Sequence, residues 1–287
     1  MSNIKLYAFA DEASKQMGGQ IAAMLRNGLD GLEIRGVDGT NVSCISLKKA
    51  KKVRKMMDDN GLHVWSIGSP IGKIRLDEDF QAHLECYRHT LDVADILGSE
   101  NIRLFSFYMP KEEDPALYRQ QVIDRMGQIL EIGRGTGINI CHENEKGIYG
   151  DTADRCLDLH QAMPELKGIF DPANYVQCGE DTLRAWEMLK NYIHYLHIKD
   201  ALPDGSVVPA GKGHGNIAAI IKRYLTQGGT AMTLEPHLTI FDGLKELEED
   251  GNTSKVGSQY RYSSEGAAFD AAAAALKDIL QEVSICK

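Results

Sequence analysis

Amphipathic helical stretches alternate along the chain with short, continuous apolar runs that are rich in β-branched and aromatic residues. Residues 46–60 and 82–98 place apolar side chains three and four positions apart, which predicts helices that pack on one face. A glycine precedes most of the apolar runs, as Gly61 does before HVWSI, and glycine commonly ends a helix in the left-handed conformation. Because the runs are continuous rather than alternating, they predict strands that are buried on both faces of a parallel sheet.

Eight of these runs are predicted as strands, at residues 4–9, 31–35, 63–67, 101–107, 138–143, 167–171, 194–199 and 230–235. Eight strand–helix units in 287 residues predict an α/β fold, a (β/α)8 TIM barrel that forms a single domain over residues 1–287. An open doubly wound sheet is expected to have a glycine-rich phosphate-binding turn after its first strand, whereas the turn in this chain reads FADEASKQ. Residues 238–262 break the pattern and predict an insertion at the C-terminal face, either a lid or a passive loop.

Four consecutive predicted strands each end near a residue that can bind a metal. These residues are Glu143, Asp171, His197 and Glu235, spaced 26 to 38 residues apart, which is about one strand–helix unit. Parallel strands deliver their carboxyl ends to the same edge, so the four side chains are expected to converge. Three carboxylates and one imidazole suit one divalent ion, and Mn²⁺, Mg²⁺, Co²⁺ and Zn²⁺ all remain open.

The segments GINICHEN, FDPAN, LHIKD, GKGHGNI and LEP occur in this order, and LEIR precedes them. This ordered set resembles the xylose isomerase-like TIM-barrel superfamily, in its sugar phosphate isomerase and epimerase branch. The resemblance implies that one divalent ion is bound by Glu143, Asp171, His197 and Glu235. It also implies that Glu143 and Glu235 act as the acid/base pair on a sugar or sugar phosphate, with proton transfer through an enediolate.

Two positions depart from the ketose 3-epimerases of that superfamily. Those enzymes usually carry a histidine three residues after the aspartate of strand six, where this chain has Asn174. They also carry an arginine about six residues after the histidine of strand seven, where this chain has Pro203. Both positions handle substrate in the relatives, so the departures weaken a 3-epimerase assignment and leave the metal site intact.

Further residues are candidate substrate contacts, and each has a structural alternative. Lys199 follows His197 on the same strand face, where it could bind a substrate oxygen or phosphate, or pair with a site carboxylate. His214 lies in a glycine-rich loop whose amides could approach an anion, although such glycines also simply form tight loops. Glu33 could contact substrate or form a salt bridge at the rim, and Trp65 could wall the pocket or belong to the core.

Composition narrows the classes of partner. The net charge of −9 argues against a nucleic-acid surface, for which a basic stripe is expected. The six cysteines form no CxxC pair, which favours reduced thiols in a cytoplasmic protein. The N-terminal residues do not predict a signal peptide, and no apolar run is long enough to predict a membrane span. A small carbohydrate substrate is expected, and association into a homo-oligomer remains open.

The leading hypothesis is a metal-dependent isomerase or epimerase. A dehydratase on an inositol-type ketone would use the same site, and a hydroxypyruvate-type isomerase shares the same chemistry. A nuclease on this barrel would need more histidines at the strand ends than the chain offers. A non-catalytic barrel that binds a sugar would be expected to carry a broken ligand set, whereas this set is complete.

Overall fold

The structure, a computed structural model, describes residues 4–239 and 255–285. Within these ranges, eight parallel strands close into a barrel in the order β1-β8-β7-β6-β5-β4-β3-β2. These strands are β1 (Lys5–Ala8), β2 (Gly31–Ile34), β3 (His63–Ile67), β4 (Asn101–Leu104), β5 (Asn139–Glu143), β6 (Lys167–Phe170), β7 (Ile193–Ile198) and β8 (Ala231–Leu234). The closed parallel barrel confirms the predicted TIM barrel.

Helices follow the strands and form the outer layer. They are α1 (Met17–Arg26), α2 (Leu47–Asp59), α3 (Phe80–Leu97), α4 (Arg119–Gly133), α5 (Ala153–Ala162), α6 (Pro172–Gln177), α7 (Thr182–Leu189), α8 (Ile217–Thr226) and α9 (Glu265–Ile285). Their ends carry local signals: Asp79 accepts hydrogen bonds from the first amides of α3, and Gly98 ends that helix at a φ of 67°. None of the helices in the described ranges is long and apolar enough to cross a membrane.

The predicted insertion at residues 238–262 is only partly described. Residues 240–254, which include the predicted helical stretch GLKELEE, lie outside the described residues. The strand Lys255–Val256 pairs in parallel with Ser206–Val208, which is also antiparallel to Asp200–Ala201. This small sheet extends the loop after β7, so the C-terminal part of the insertion adjoins the face of the barrel where the strands end.

The loop after β3 packs against the residues that follow β4. Gly72 has a φ of +86°, and a β-carbon there would lie 1.9 Å from the carbonyl oxygen of Phe105. The Gly72 amide donates to Nε2 of His83, at 2.8 Å. Because Nε2 must accept this bond, the bond requires a neutral imidazole.

We expect His83 to make the protein less stable in acid. Burial lowers the pKa of His83 to about 4, below the value of about 6.5 in an unfolded chain. Its contribution to stability is therefore complete above pH 6.5 and is lost as the pH falls towards 4. Between pH 7.5 and pH 4.5, the free energy of unfolding should fall by about 2 kcal/mol more in the wild type than in His83→Asn. Urea unfolding of both proteins at both pH values measures the difference. Equal losses in the wild type and in His83→Asn would contradict the proposed contribution of His83.

Candidate metal centre

The four predicted ligands come together at the C-terminal end of the barrel. Glu143 is the last residue of β5, His197 lies in β7, and Asp171 and Glu235 directly follow β6 and β8. One potential ligand atom from each lies within 4.8 Å of the others, and all four side chains are buried. The parallel sheet therefore produces the convergence that the spacing predicts.

Two of the carboxylates, Asp171 and Glu143, each use one oxygen for a hydrogen bond to a residue outside the four ligands. Asp171 caps α6, since its Oδ1 accepts the amide of Asn174 at 3.0 Å. Glu143 Oε2 accepts from Arg103 at 3.1 Å, whereas Glu143 Oε1 lies 3.0 Å from Nδ1 of His197. Asp171 Oδ2 and Glu143 Oε1 thus remain for the centre of the cluster.

Glu235 and His197 likewise each use one polar atom for a contact outside the cluster and turn the other towards it. Glu235 Oε1 lies 3.4 Å from a guanidinium nitrogen of Arg35, while Glu235 Oε2 lies 3.5 Å from Nδ1 of His197. The Nε2 of His197 donates to Glu33 Oε2 at 2.9 Å, so Nδ1 points to the cluster. Three carboxylate oxygens and one imidazole nitrogen converge, each on a side chain fixed by its other polar atom. This donor set fits a single divalent metal ion.

Glu33 lies inside the barrel and contacts the predicted ligand His197. Its carboxylate is fully buried and accepts hydrogen bonds from Tyr195 at 2.9 Å and Ser66 at 3.2 Å, in addition to His197. Burial alone would lower the pKa of His197, but Glu143 and Glu33 raise it well above its usual value. Metal binding at Nδ1 would therefore displace a proton.

Arg103 is a residue beside the cluster that the sequence analysis misses. Its side chain is 2% exposed, and its guanidinium lies 4.9 Å from the ring centres of both Phe9 and Phe105. It contacts Glu143 and lies 3.8 Å from Glu235, so it bridges the two glutamates. Strand alternation is a local signal for Arg103, because Asn101 and Arg103 are both buried and lie on the same face of β4.

Lys199 and Asn174 both reach the cluster. The Lys199 ammonium lies 2.7 Å from Asp171 Oδ2 and 3.0 Å from Glu235 Oε2. Burial would lower the pKa of Lys199, but the carboxylates of Asp171 and Glu235 outweigh burial and raise it well above its usual value. Asn174 donates to the Asn144 carbonyl at 2.8 Å and lies 3.4 Å from Glu143 Oε1. The ion-pair alternative for Lys199 is therefore the arrangement present in the structure.

The glycine-rich loop 211–216 surrounds the side chain of Asp200. Asp200 accepts the amides of Gly211, Gly213 and Gly215 at 2.8 to 2.9 Å. A β-carbon at Gly213 would lie 2.3 Å from Asp200 Oδ1, so the close approach requires glycine. These amides are already used, and His214 is exposed on the same loop. The structure does not bring His214 into hydrogen-bond contact with the four ligands.

Trp65 lies at the opposite end of the barrel. It stacks on Tyr7 at 5.0 Å and on His194 at 5.8 Å, and lines a cavity of about 590 Å³ with the N-terminal residues of β7. A shift in register between β2 and β3 pairs Glu33 with Ser66 instead of Trp65. Trp65 therefore packs against the core at this end of the barrel, which is the structural alternative of the sequence analysis, and does not wall the cluster.

Comparisons with known proteins agree on the fold. A family model described as "Xylose isomerase-like TIM barrel" matches residues 21–250. No curated protein matches the chain. A solved structure of the probable 3-DHS dehydratase AsbF from Bacillus anthracis is 17% identical, with a TM-score of 0.73 over 96% of this chain and 99% of that one.

Two other solved structures are similar to the same extent. A D-tagatose 3-epimerase-like protein is 15% identical, with a TM-score of 0.73 over 98% of each chain. The IOLI protein, solved with a zinc atom, is 13% identical, with a TM-score of 0.73 over 98% of this chain and 99% of that one. At these identities the similarity establishes the fold alone.

Proposed function

Because the chain belongs to the xylose isomerase-like TIM barrel family, we propose that it is a divalent-metal-dependent isomerase or epimerase of a sugar or sugar phosphate. The observation that carries the proposal is the buried set of four ligand atoms within 4.8 Å of one another. Similar folds belong to a D-tagatose 3-epimerase-like protein and to a protein with a bound zinc atom, which supports both halves of the proposal.

The metal would be held by Glu143, Asp171, His197 and Glu235. When bound, it would polarise a substrate carbonyl and its neighbouring hydroxyl, which acidifies the adjacent C–H bond. Glu143 and Glu235 extend from β5 and β8, which are not neighbours in the barrel. Two carboxylates on separate strands can remove a proton from one position of the substrate and return it at another position or on the other face.

Two buried cations lie against the two glutamates. Burial would raise the pKa of Glu235, but Lys199 helps to hold it well below its usual value. Arg103 contacts both carboxylates and adds a second fixed positive charge. These cations balance the negative charge of the buried glutamates while no metal is bound.

A dehydratase remains the second candidate. Asn174 and Pro203 replace the substrate-handling histidine and arginine of ketose 3-epimerases, and one structure of the same fold is described as a probable 3-DHS dehydratase. A dehydratase would begin with the same proton abstraction and then expel a hydroxyl group. Loss of water from the substrate, detected by mass spectrometry, would separate the two reactions.

Metal content is the first test. Elemental analysis should find about one equivalent of a divalent metal per wild-type chain and almost none in Asp171→Ala. Asp181→Ala is the matched control, because Asp181 also caps a helix but lies outside the ligand set. The proposal fails if reloading with Mn²⁺, Co²⁺ or Zn²⁺ leaves the wild type without metal, or if both variants lose it equally.

The chemistry has its own test. Incubation in D₂O with a panel of ketoses, aldoses and their phosphates should place deuterium on the carbon next to the carbonyl of a substrate. Glu143→Gln and Glu235→Gln should each lower the exchange rate by about 10²-fold or more. NMR spectroscopy follows the exchange, and unchanged rates in both variants would exclude the acid/base assignment.

A further inference from the structure

We propose that Lys199 is a positioning residue that competes with the metal for two ligand oxygens. The inference rests on the proposed function, because it takes the cluster of four as a metal site. Neither the fold nor the set of four ligands requires this role of Lys199. The ammonium holds Asp171 and Glu235 in place until a metal ion takes over.

The contacts of Lys199 are specific to the atoms that face the centre of the cluster. Its nitrogen lies 2.7 Å from Asp171 Oδ2 and 3.0 Å from Glu235 Oε2. The other oxygens of these carboxylates face the Asn174 amide and Arg35. An ammonium that served only general charge balance could contact any oxygen, whereas Lys199 contacts the two that a metal would use.

Burial strengthens the electrostatic interaction between Lys199 and the two carboxylates. The side chains of Lys199, Asp171 and Glu235 are at most 3% exposed, so water screens their charges poorly. Two buried carboxylates would repel each other without a cation between them. Lys199 therefore stabilises the arrangement that receives the metal, and it also places a positive charge against an incoming divalent ion.

The lysine side chain allows the exchange. Its four-carbon stem is flexible, and its ammonium is a point charge without the fixed geometry of a guanidinium. Arg103, by contrast, is packed between two aromatic rings and contacts the outer oxygen of Glu143. Lys199 can thus withdraw from an oxygen when a metal binds, while Arg103 stays in place.

The test compares the affinity for Mn²⁺ of chelator-stripped wild type, Lys199→Met and Lys73→Met by isothermal calorimetry. Lys73 is the control, because it is also a buried lysine near the cluster but pairs with Glu145, at 3.2 Å, rather than with a ligand. We expect Lys199→Met to bind Mn²⁺ at least about tenfold more tightly, since a repulsive charge is removed. Lys73→Met should change the affinity much less.

Thermal unfolding of the stripped proteins supplies a second readout. Lys199→Met should unfold at a lower temperature than the wild type without metal and should regain more stability on adding Mn²⁺. An affinity for Mn²⁺ that is unchanged or weaker in Lys199→Met would overturn the inference and leave the proposed function standing. A wild type that binds no Mn²⁺, Co²⁺ or Zn²⁺ would overturn both.

A crystal structure of the wild type loaded with Zn²⁺ keeps the inference testable if Lys199→Met does not fold. The Lys199 nitrogen should then lie beyond hydrogen-bond distance of Asp171 Oδ2 or Glu235 Oε2. Retention of both contacts beside a bound metal would contradict the competition.

Discussion

Replacing Arg103 with methionine should lower the free energy of unfolding by about 3–5 kcal/mol, because it removes a buried cation that contacts the carboxylate of Glu143. Arg103 is 2% exposed and contacts Glu143 at 3.1 Å, with Glu235 at 3.8 Å. Methionine preserves much of the packing between Phe9 and Phe105 but removes the charge. Urea unfolding with a chelator present measures the loss without help from bound metal.

Arg119→Met is the matched control for this prediction. Arg119 forms a salt bridge with Asp158 at 2.7 Å, but its side chain is 45% exposed. Exposed ion pairs are screened by water and contribute little to stability, so this variant should lose far less than Arg103→Met. Equal losses in the two variants would show that burial of the Arg103 pair does not matter.

Replacing Glu33 with glutamine should weaken metal binding by about 10- to 100-fold, because Glu33 orients His197. The carboxylate accepts from Nε2 of His197 at 2.9 Å and so leaves Nδ1 towards the cluster. Glutamine has nearly the same shape, but its neutral amide holds the imidazole less firmly and lowers its basicity. Calorimetric titration with Mn²⁺ or Zn²⁺ measures the change.

Tyr195→Phe separates this effect from a general disturbance of the barrel interior. Tyr195 donates to Glu33 Oε1, at 2.9 Å, and its removal leaves the bond between Glu33 and His197 in place. The variant should retain most of the metal affinity. If Glu33→Gln binds metal as tightly as the wild type, the carboxylate does not orient the ligand.

The sequence indicates the barrel because its signals are local and repeated. Each unit carries an amphipathic helix and a continuous apolar strand, commonly with a glycine between them, and these patterns need no knowledge of distant partners. Parallel strands bring their carboxyl ends to one edge. A ligand residue at the end of each of four successive strands is therefore enough to predict the cluster of Glu143, Asp171, His197 and Glu235.

The partners of those ligands follow from tertiary structure. Arg103 on β4 contacts Glu235 after β8, and Lys199 contacts Asp171 after β6. The numbers of residues that separate these partners in the sequence follow no repeat, so the sequence pattern does not predict the pairs. Trp65 shows a different limit. A register shift between β2 and β3 pairs Ser66 with Glu33, and such a shift leaves no trace in the alternation of residues.

The sequence by itself thus determined the (β/α)8 barrel and the edge at which the four predicted ligands meet, since periodicity and strand order are properties of the chain. Only the tertiary structure decided which atom of each ligand faces the centre, because that depends on the cations and amides that bind the other atom. It likewise decided that the glycine loop encloses Asp200 and that Lys199 pairs with two ligands. These choices depend on burial and charge in three dimensions.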